Sequence, residues 1–344
     1  MNREVEVAFK IIRNGAYFGN LDAIGTPTLR CDASGAIKMS LSGNFAKPDD
    51  IEWLTDEIQP VLVIDGVESP LAVLMPATVT PQEENGDASV SVQAYDRCWR
   101  VRDDYLTSHL YFASGTKYIT AVETVLIACG IEFVLATPTS AVLAEDREWL
   151  TGTSRLDIVN ELLREINYND LWFNPFGAAI LEPVSTPEVN SIEHTLDSDN
   201  VESLLFPKIS QQLDIYSAPN VFVCICSNAD KSGPLVSVAE NTNPQSPLSI
   251  VRRGRRIVKV ENVDNIEDQD ALDAYALRLR NESMISGETI IVNTGLLPGF
   301  GVADVTALHY KNINAVCLEQ SWEMTLGVGG AMKHTLKKVV RSIG

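Results

Sequence analysis

The sequence predicts a mainly β chain interrupted by one α/β insert, and three observations carry that prediction. Apolar and polar residues alternate with period two before residue 96, the period becomes helical between Tyr95 and Pro183, and strand pattern resumes from Lys208. A chain of 344 residues is too long for one hydrophobic core. We place domains at 1–96, 97–200 and 201–344: a first β domain, an α/β insert with a linker, and a second β domain.

In the first domain Val5, Val7 and Phe9 alternate with polar neighbours, as do Ile37, Met39 and Leu41. The run VLVIDG ends in an Asp65-Gly66 turn, LAVLMPATV follows, and after the polar loop EENGD come Val90, Val92 and Ala94 on one face. About six short strands are enough for a barrel or sandwich.

In the insert, Ile119, Val122, Leu126 and Cys129 fall on one helical stripe, with Gly130 suited to the position after the helix. Leu156, Val159, Leu163 and Ile166 predict a second helix over 155–166, capped by Thr153 or Ser154. Leu171–Phe173 and Ala178–Leu181, joined by Asn-Pro-Phe-Gly, predict a hairpin on these helices. Residues 184–205, polar and holding Pro187, read as a loop or linker.

VFVCIC at 221–226 is apolar on both faces, the pattern of a core strand. Leu272, Tyr275, Ala276 and Leu279 predict a third helix over 269–283. At the end Leu318, Trp322, Met324 and Leu326 alternate with Glu319, Ser321, Glu323 and Thr325. The glycine turn GVGG then leads into a returning strand, and this closing pair completes a second barrel.

Composition narrows the function classes. No apolar run approaches the roughly 18 residues of a membrane span, and the charged start MNREVEVAFK lacks the core of a secretory signal, which predicts folding in a cytoplasm. Six scattered cysteines without a C-x-x-C pair read as reduced buried thiols. A net charge of −19 disfavours a broad grip on nucleic acid. It fits either an ordinary solubilising surface or an acidic wall past which a polyanion slides.

No constellation carries chemistry. P-loop, G-x-S-x-G and H-E-x-x-H motifs are absent from the sequence, and His109, His194, His309 and His334 stand isolated. No catalytic, cofactor-binding or metal-binding residue is assigned, and no cofactor is expected. Asp49-Asp50 and Asp103-Asp104 read as solvated pairs, and Cys224 and Cys226 as core thiols on one side of a strand. The basic cluster RRGRR at 252–256 is either an anion contact or a hairpin tip, with Gly254 at the bend, docking on an acidic neighbouring subunit; Lys337, Lys338 and Arg341 read likewise.

The order of local motifs carries a resemblance. SVSVQAYDR leads into the insert, Gly115-Thr116 precedes its first helix, and NDLWFNPFGAAILEP forms its hairpin. SAPNVFVCIC opens the second β domain, Asn243–Pro247 reads N-P-x-S-P, and Gly329-Gly330-Ala331-Met332 lies near the end. In this order the chain resembles the baseplate or tail-tip hub proteins of phage tails and phage-tail-like bacteriocins, the late control protein D group, whose hub part injection-system spike proteins share.

The resemblance implies two tube-like β-barrels flanking the insert. It implies a non-enzymatic homotrimer forming a pseudo-sixfold ring around a channel, which joins the tail tube protein to a central spike or tail-tip protein among other baseplate proteins. It places the protein in a virion or bacteriocin particle, assembled in the bacterial cytoplasm, with DNA passing the lumen without specific binding. The sequence stops at its hairpin, so any lytic activity is expected on another protein. The alternatives are an acidic β-rich cell-wall polysaccharide hydrolase, and a glycan-binding tail-tip module using Trp99 or Trp172 as stacking surfaces.

Overall fold

The computed structural model describes residues 3–48, 50–84, 87–184, 191–213, 218–226, 233–263, 266 and 268–339. The chain is mainly β, with helices concentrated in the insert and one long helix near residue 270. It packs as two compact units: Met1–Pro183 with Thr294–Val302 and Ser321–Lys333, and Val184–Asn293 with Ala303–Gln320 and His334–Gly344.

The first unit opens with eight strands where the alternation indicated about six: β1 Val5–Arg13, β2 Ala16–Asn20, β3 Ala23–Asp32, β4 Met39–Ala46, β5 Glu57–Ile64, β6 Val67–Pro70, β7 Met75–Glu84 and β8 Asp87–Tyr95. One four-stranded antiparallel sheet is ordered β2-β1-β5-β6, and β3-β4-β8-β7 are consecutive strands of a larger sheet in which β3 also pairs antiparallel with residues 321–325. Their inner faces meet at Phe9 and Phe45, whose rings stand edge to face at 5.1 Å, and Leu29, Leu41, Ile58, Leu62 and Val92 complete a dry core. Asp65-Gly66 is the predicted β5–β6 turn, with φ of 49° and 81°. Asn14-Gly15 makes the same turn between β1 and β2, at 51° and 76°.

The insert follows as α1 Cys98–Asp103, β9 Leu110–Phe112, α2 Tyr118–Ala128, β10 Val134–Ala136, β11 Arg147–Trp149, α3 Arg155–Glu165, β12 Trp172–Phe173 and β13 Ala179–Leu181. Helix α2 ends as the glycine predicts: Gly130, at φ 74°, donates to Ile127 O, and Ile131 donates to Leu126 O. Ser154 does occupy the N-cap of α3, but its hydroxyl donates to Arg102 O at 2.8 Å and leaves the helix amides to others. The predicted hairpin is β12–β13, which β10 joins in parallel. One core holds the insert together, from Val122, Val125 and Leu126 to Leu156, Val159 and Leu163.

The second unit contains β14 His194–Asp197, β15 Leu205–Leu213, β16 Val221–Cys226, β17 Leu235–Glu240, α4 Ile250–Arg253, β18 Val258–Val263 and α5 Gln269–Met284. Then come β19 Ile285–Gly295, β20 Val305–Tyr310, β21 Ile313–Thr325 and β22 Ala331–Val339. Within the stretch expected to be a loop, β14 pairs in parallel with β20. Strand β16 is central in the sheet β17-β16-β18, as its apolar run implies, with one face covered along its length and the other only at Val221. Cys224 and Cys226 pack with Leu272 and Ala276 of α5, while valines of the opposite face stay half-exposed.

The β21–β22 hairpin forms about its glycine turn, where Gly330 donates to Gly327 O at 2.9 Å. Strand β21 departs from the simple alternation. Ala315, Cys317 and Glu319 are buried in its first part, whereas Trp322 and Met324 are buried in its second, so the inward side changes phase between Glu319 and Trp322. Glu319, expected outside, is therefore inside. No helix among the described residues is long and apolar enough to cross a membrane.

Candidate functional site

Of the four histidines, two lie against carboxylates in the second unit, one buried and one half-buried. His334 Nδ1 lies 2.9 Å from Glu319 Oε2, with side chains 0% and 1% exposed. His194 Nε2 lies 2.9 Å from Asp304 Oδ2. Register places His194 beside Thr306, and Thr306 opposite Cys317, so one face of β14, β20 and β21 carries a polar layer. Burial pushes the Glu319 carboxyl up, and His334 pulls it back. Glu319 Oε1 and Thr306 Oγ1 are buried without a hydrogen-bond partner among the described residues. At this depth the pair has no route to a substrate, and what it does is bind β21 to β22. His109 lies on the surface beside Glu148 at 2.5 Å, and His309 takes an ordinary place in β20.

A second cluster lies in the insert. Arg147 reaches Glu165 with both Oε atoms at 2.6 and 2.7 Å and also pairs with Glu161. Tyr118 donates to Glu165, and Trp149 Nε1 donates to Glu161. Burial raises Glu165 to about 7 against the pull of Arg147. Both carboxylates are engaged by the same guanidinium, which clamps α3 to β11.

The YDR motif acts at the entrance to the insert. Asp96 Oδ2 accepts the backbone N–H groups of Lys38 and Met39, and Oδ1 accepts that of Cys98 at the start of α1. Arg97 forks onto Glu57, 2.7 Å to each oxygen, and donates to Gly177 O at 2.6 Å. Strand β5, the β8–α1 junction and the β12–β13 turn are thereby tied together. The cue available in the sequence was an Asp-Arg pair placed where strand period gives way to helix period.

The remaining candidates sit apart. All six cysteines are buried and none is in a disulfide; burial pushes the Cys129 and Cys317 thiols up to about 12. Among the described residues no group of three or more His, Cys, Asp or Glu is placed to hold a metal ion. Asp103 pairs with Arg102 and Asp104 with Arg155, while Asp49 lies outside the described residues. Trp99 packs beside Tyr95, and Trp172 donates to Glu182. Lys338 pairs with Glu288; Arg341 lies outside the described residues.

RRGRR forms no hairpin tip. Arg252 and Arg253 end the short helix α4, and Gly254 is its left-handed cap at φ 64°. Buried Asn220 fixes the segment by donating to Leu248 O and Arg255 O and accepting from Ile257 N. The N-P-x-S-P stretch is a turn ahead of it, closed by Ser246 N donating to Asn243 O at 3.0 Å.

What the chain does present is apolar surface. Tyr17, Phe18 and Ile24 are 45–60% exposed along β2 and β3, and the Arg13 guanidinium lies 3.7 Å over the Phe18 ring.

No protein-family model matches the sequence, and no curated protein matches it. Solved structures do match over its whole length. A tail protein from Neisseria meningitidis MC58 superposes with a TM-score of 0.68 at 14% identity, over 96% of each chain. The 43 kDa tail protein of prophage MuSo2 from Shewanella oneidensis gives 0.66 at 10% identity, over 97% of this chain and 98% of that one. The E. coli c3393 protein, a type VI secretion system component described as similar to the T4 bacteriophage tail proteins gp27 and gp5, gives 0.55 at 10% identity, over 97% and 77%. The chain thus has the fold of phage tail proteins.

Proposed function

We propose that the protein is a structural hub of a phage tail or a phage-tail-like bacteriocin. Three copies form a pseudo-sixfold ring that joins the tail tube to a central spike or tail tip. The observation that carries this reading is the end-to-end match, in which 96% of this chain and 96% of a tail protein share one fold. A match covering both chains leaves little of either outside the shared architecture.

In this reading residues 1–96 and 201–344 supply the two tube-like barrels that double threefold symmetry into sixfold, and 97–200 decorates the ring outside. The buried clusters support a scaffold role, because Asp96, Arg97, Arg147 and His334 spend their polar groups on the protein itself. The acidic charge of −19 suits a lumen past which DNA moves without sticking. The protein's place is the tail baseplate, beside tube, spike and other baseplate proteins, and it performs no catalysis of its own.

Light scattering on the purified chain tests the assembly. The expected mass is three times the 37.7 kDa of one chain. A species that stays at 37.7 kDa at high concentration and turns over peptidoglycan would replace this reading with the hydrolase.

A further inference from the structure

Four titratable side chains stand in a row across β14, β20, β21 and β22 of the second unit. Val305 pairs with Leu318, and Glu319 N donates to Asp304 O at 2.8 Å, so Asp304 at the start of β20 faces Glu319 of β21 across the ladder. Each carboxylate meets an imidazole from the next strand outward. His334 of β22 lies 2.9 Å from Glu319, and His194 of β14 lies 2.9 Å from Asp304. The inner pair is 0–1% exposed, whereas His194 and Asp304 are 20% and 14% exposed. The row therefore has a dry end and a wet end.

Like charges directly opposite one another on paired strands repel, and water does little to screen Glu319. Its Oε2 is answered by His334, while its Oε1 is buried without a hydrogen-bond partner among the described residues. A carboxylate solvated so poorly keeps its charge only against an imidazolium, and otherwise keeps its proton. Either way the inner pair is neutral only while its two members share one proton, and Asp304 with His194 is neutral on the same terms. Without those two protons, two negative charges face each other inside the sheet. The other titratable or charged groups brought to this face among the described residues do not compensate. Glu193 accepts Val305 N, Cys317 stands opposite Thr306, and Lys338 is matched by Glu288. His309 and Asp197, paired in register, alternate onto the opposite face.

We propose that this row is a proton-controlled latch on β14, the first strand of the second unit, closed while the row holds its two protons and loosened when rising pH removes them. Strand β14 is the element that yields, because it carries the end of the row that reaches water. Its four residues pair with β20, in a ladder bracketed by Glu193 N donating to Val305 O and Ser198 N donating to His309 O, both at 2.9 Å. Burial pushes the Glu319 carboxyl above its ordinary 4.5, so the folded unit holds that proton more tightly than the unfolded chain does. Its contribution to stability is full below 4.5 and is lost as pH rises, which is the direction the latch requires. The inference does not depend on the ring proposed above.

Hydrogen exchange of the full chain, read at the Glu193 and Ser198 amides and normalised at each pH to the unfolded chain, is the test. Imidazoles ordinarily change charge between about pH 5 and 8, so protection at both amides is expected to fall about tenfold from about pH 6 to about pH 9. His194→Gln keeps a hydrogen-bond donor but no titrating proton, and in it the fall is expected to shrink to less than about twofold. Circular dichroism and thermal unfolding check that the variant folds, and the wild-type profile decides by itself if it does not. Protection that stays flat with pH in the wild type would overturn the latch. So would a fall of wild-type size in His194→Gln, or an equal fall in β16, which carries no member of the row.

Discussion

The Asp96 carboxylate accepts the backbone N–H of Met39 at 2.6 Å, fixing the end of β8 to the start of β4. Burial raises Asp96 to about 6, from an ordinary 3.8, against the pull of three backbone donors. A folded-state value above the unfolded one means that the folded protein holds the proton more tightly. This group's contribution to stability is therefore full below about pH 4 and lost as pH rises through 6. Urea unfolding of the wild type and Asp96→Asn between pH 4 and 8 checks this. The variant is expected to lose part of the fall in stability across that window, and identical slopes would contradict the account.

Arg97 and Glu57 form a bidentate pair with side chains only 19% and 16% exposed, and Arg97 also holds Gly177 O. Removing one partner strands the other charge. Arg97→Ala is expected to cost on the order of 3 kcal/mol in chemical denaturation. Gly177→Ala is expected to destabilise as well, because Gly177 has φ 79° and a Cβ there would come within 2.9 Å of Arg97 Nη1. Since both changes disturb one contact, their costs should not add.

For Glu319 and His334 the expected signature is strong coupling. Glu319→Gln or His334→Ala alone should cost about 3 kcal/mol, while Glu319→Met combined with His334→Leu should recover much of the loss, since an apolar pair leaves no stranded charge. A double-mutant cycle by thermal unfolding measures this, and additive losses would show that the pair is not a unit.

Thiol chemistry gives a quick check of packing. All six cysteines are buried and none is in a disulfide. The native protein is expected to react slowly with an aromatic disulfide reagent, and the unfolded chain to release six equivalents without prior reduction. A rapid native reaction would place a thiol at the surface.

Much of the fold was legible because strand and helix periods are local. Ile119, Val122 and Leu126 marked α2, and Gly130 marked its end. What the sequence hid depends on distant partners. Glu319 looked solvent-facing because the phase change in β21 has no local cue, and its partner His334 lies on the returning strand. Ser154 looked like a cap, but a nearer carbonyl, Arg102 O, claims its hydroxyl. Strand β14 escaped notice because the strand it pairs with, β20, lies more than a hundred residues away. VFVCIC looked doubly buried because valine does not report whether anything covers it. Asp96 and Arg97 were visible as a motif, but their roles required Met39, Glu57 and Gly177 to be in place.

Electron-microscope images of the purified chain, averaged without imposed symmetry, test the central claim most directly. The account predicts a threefold ring with a central channel, two barrels per subunit lining it and the insert outside. Averages that show compact single subunits, or a closed particle without a channel, would contradict it.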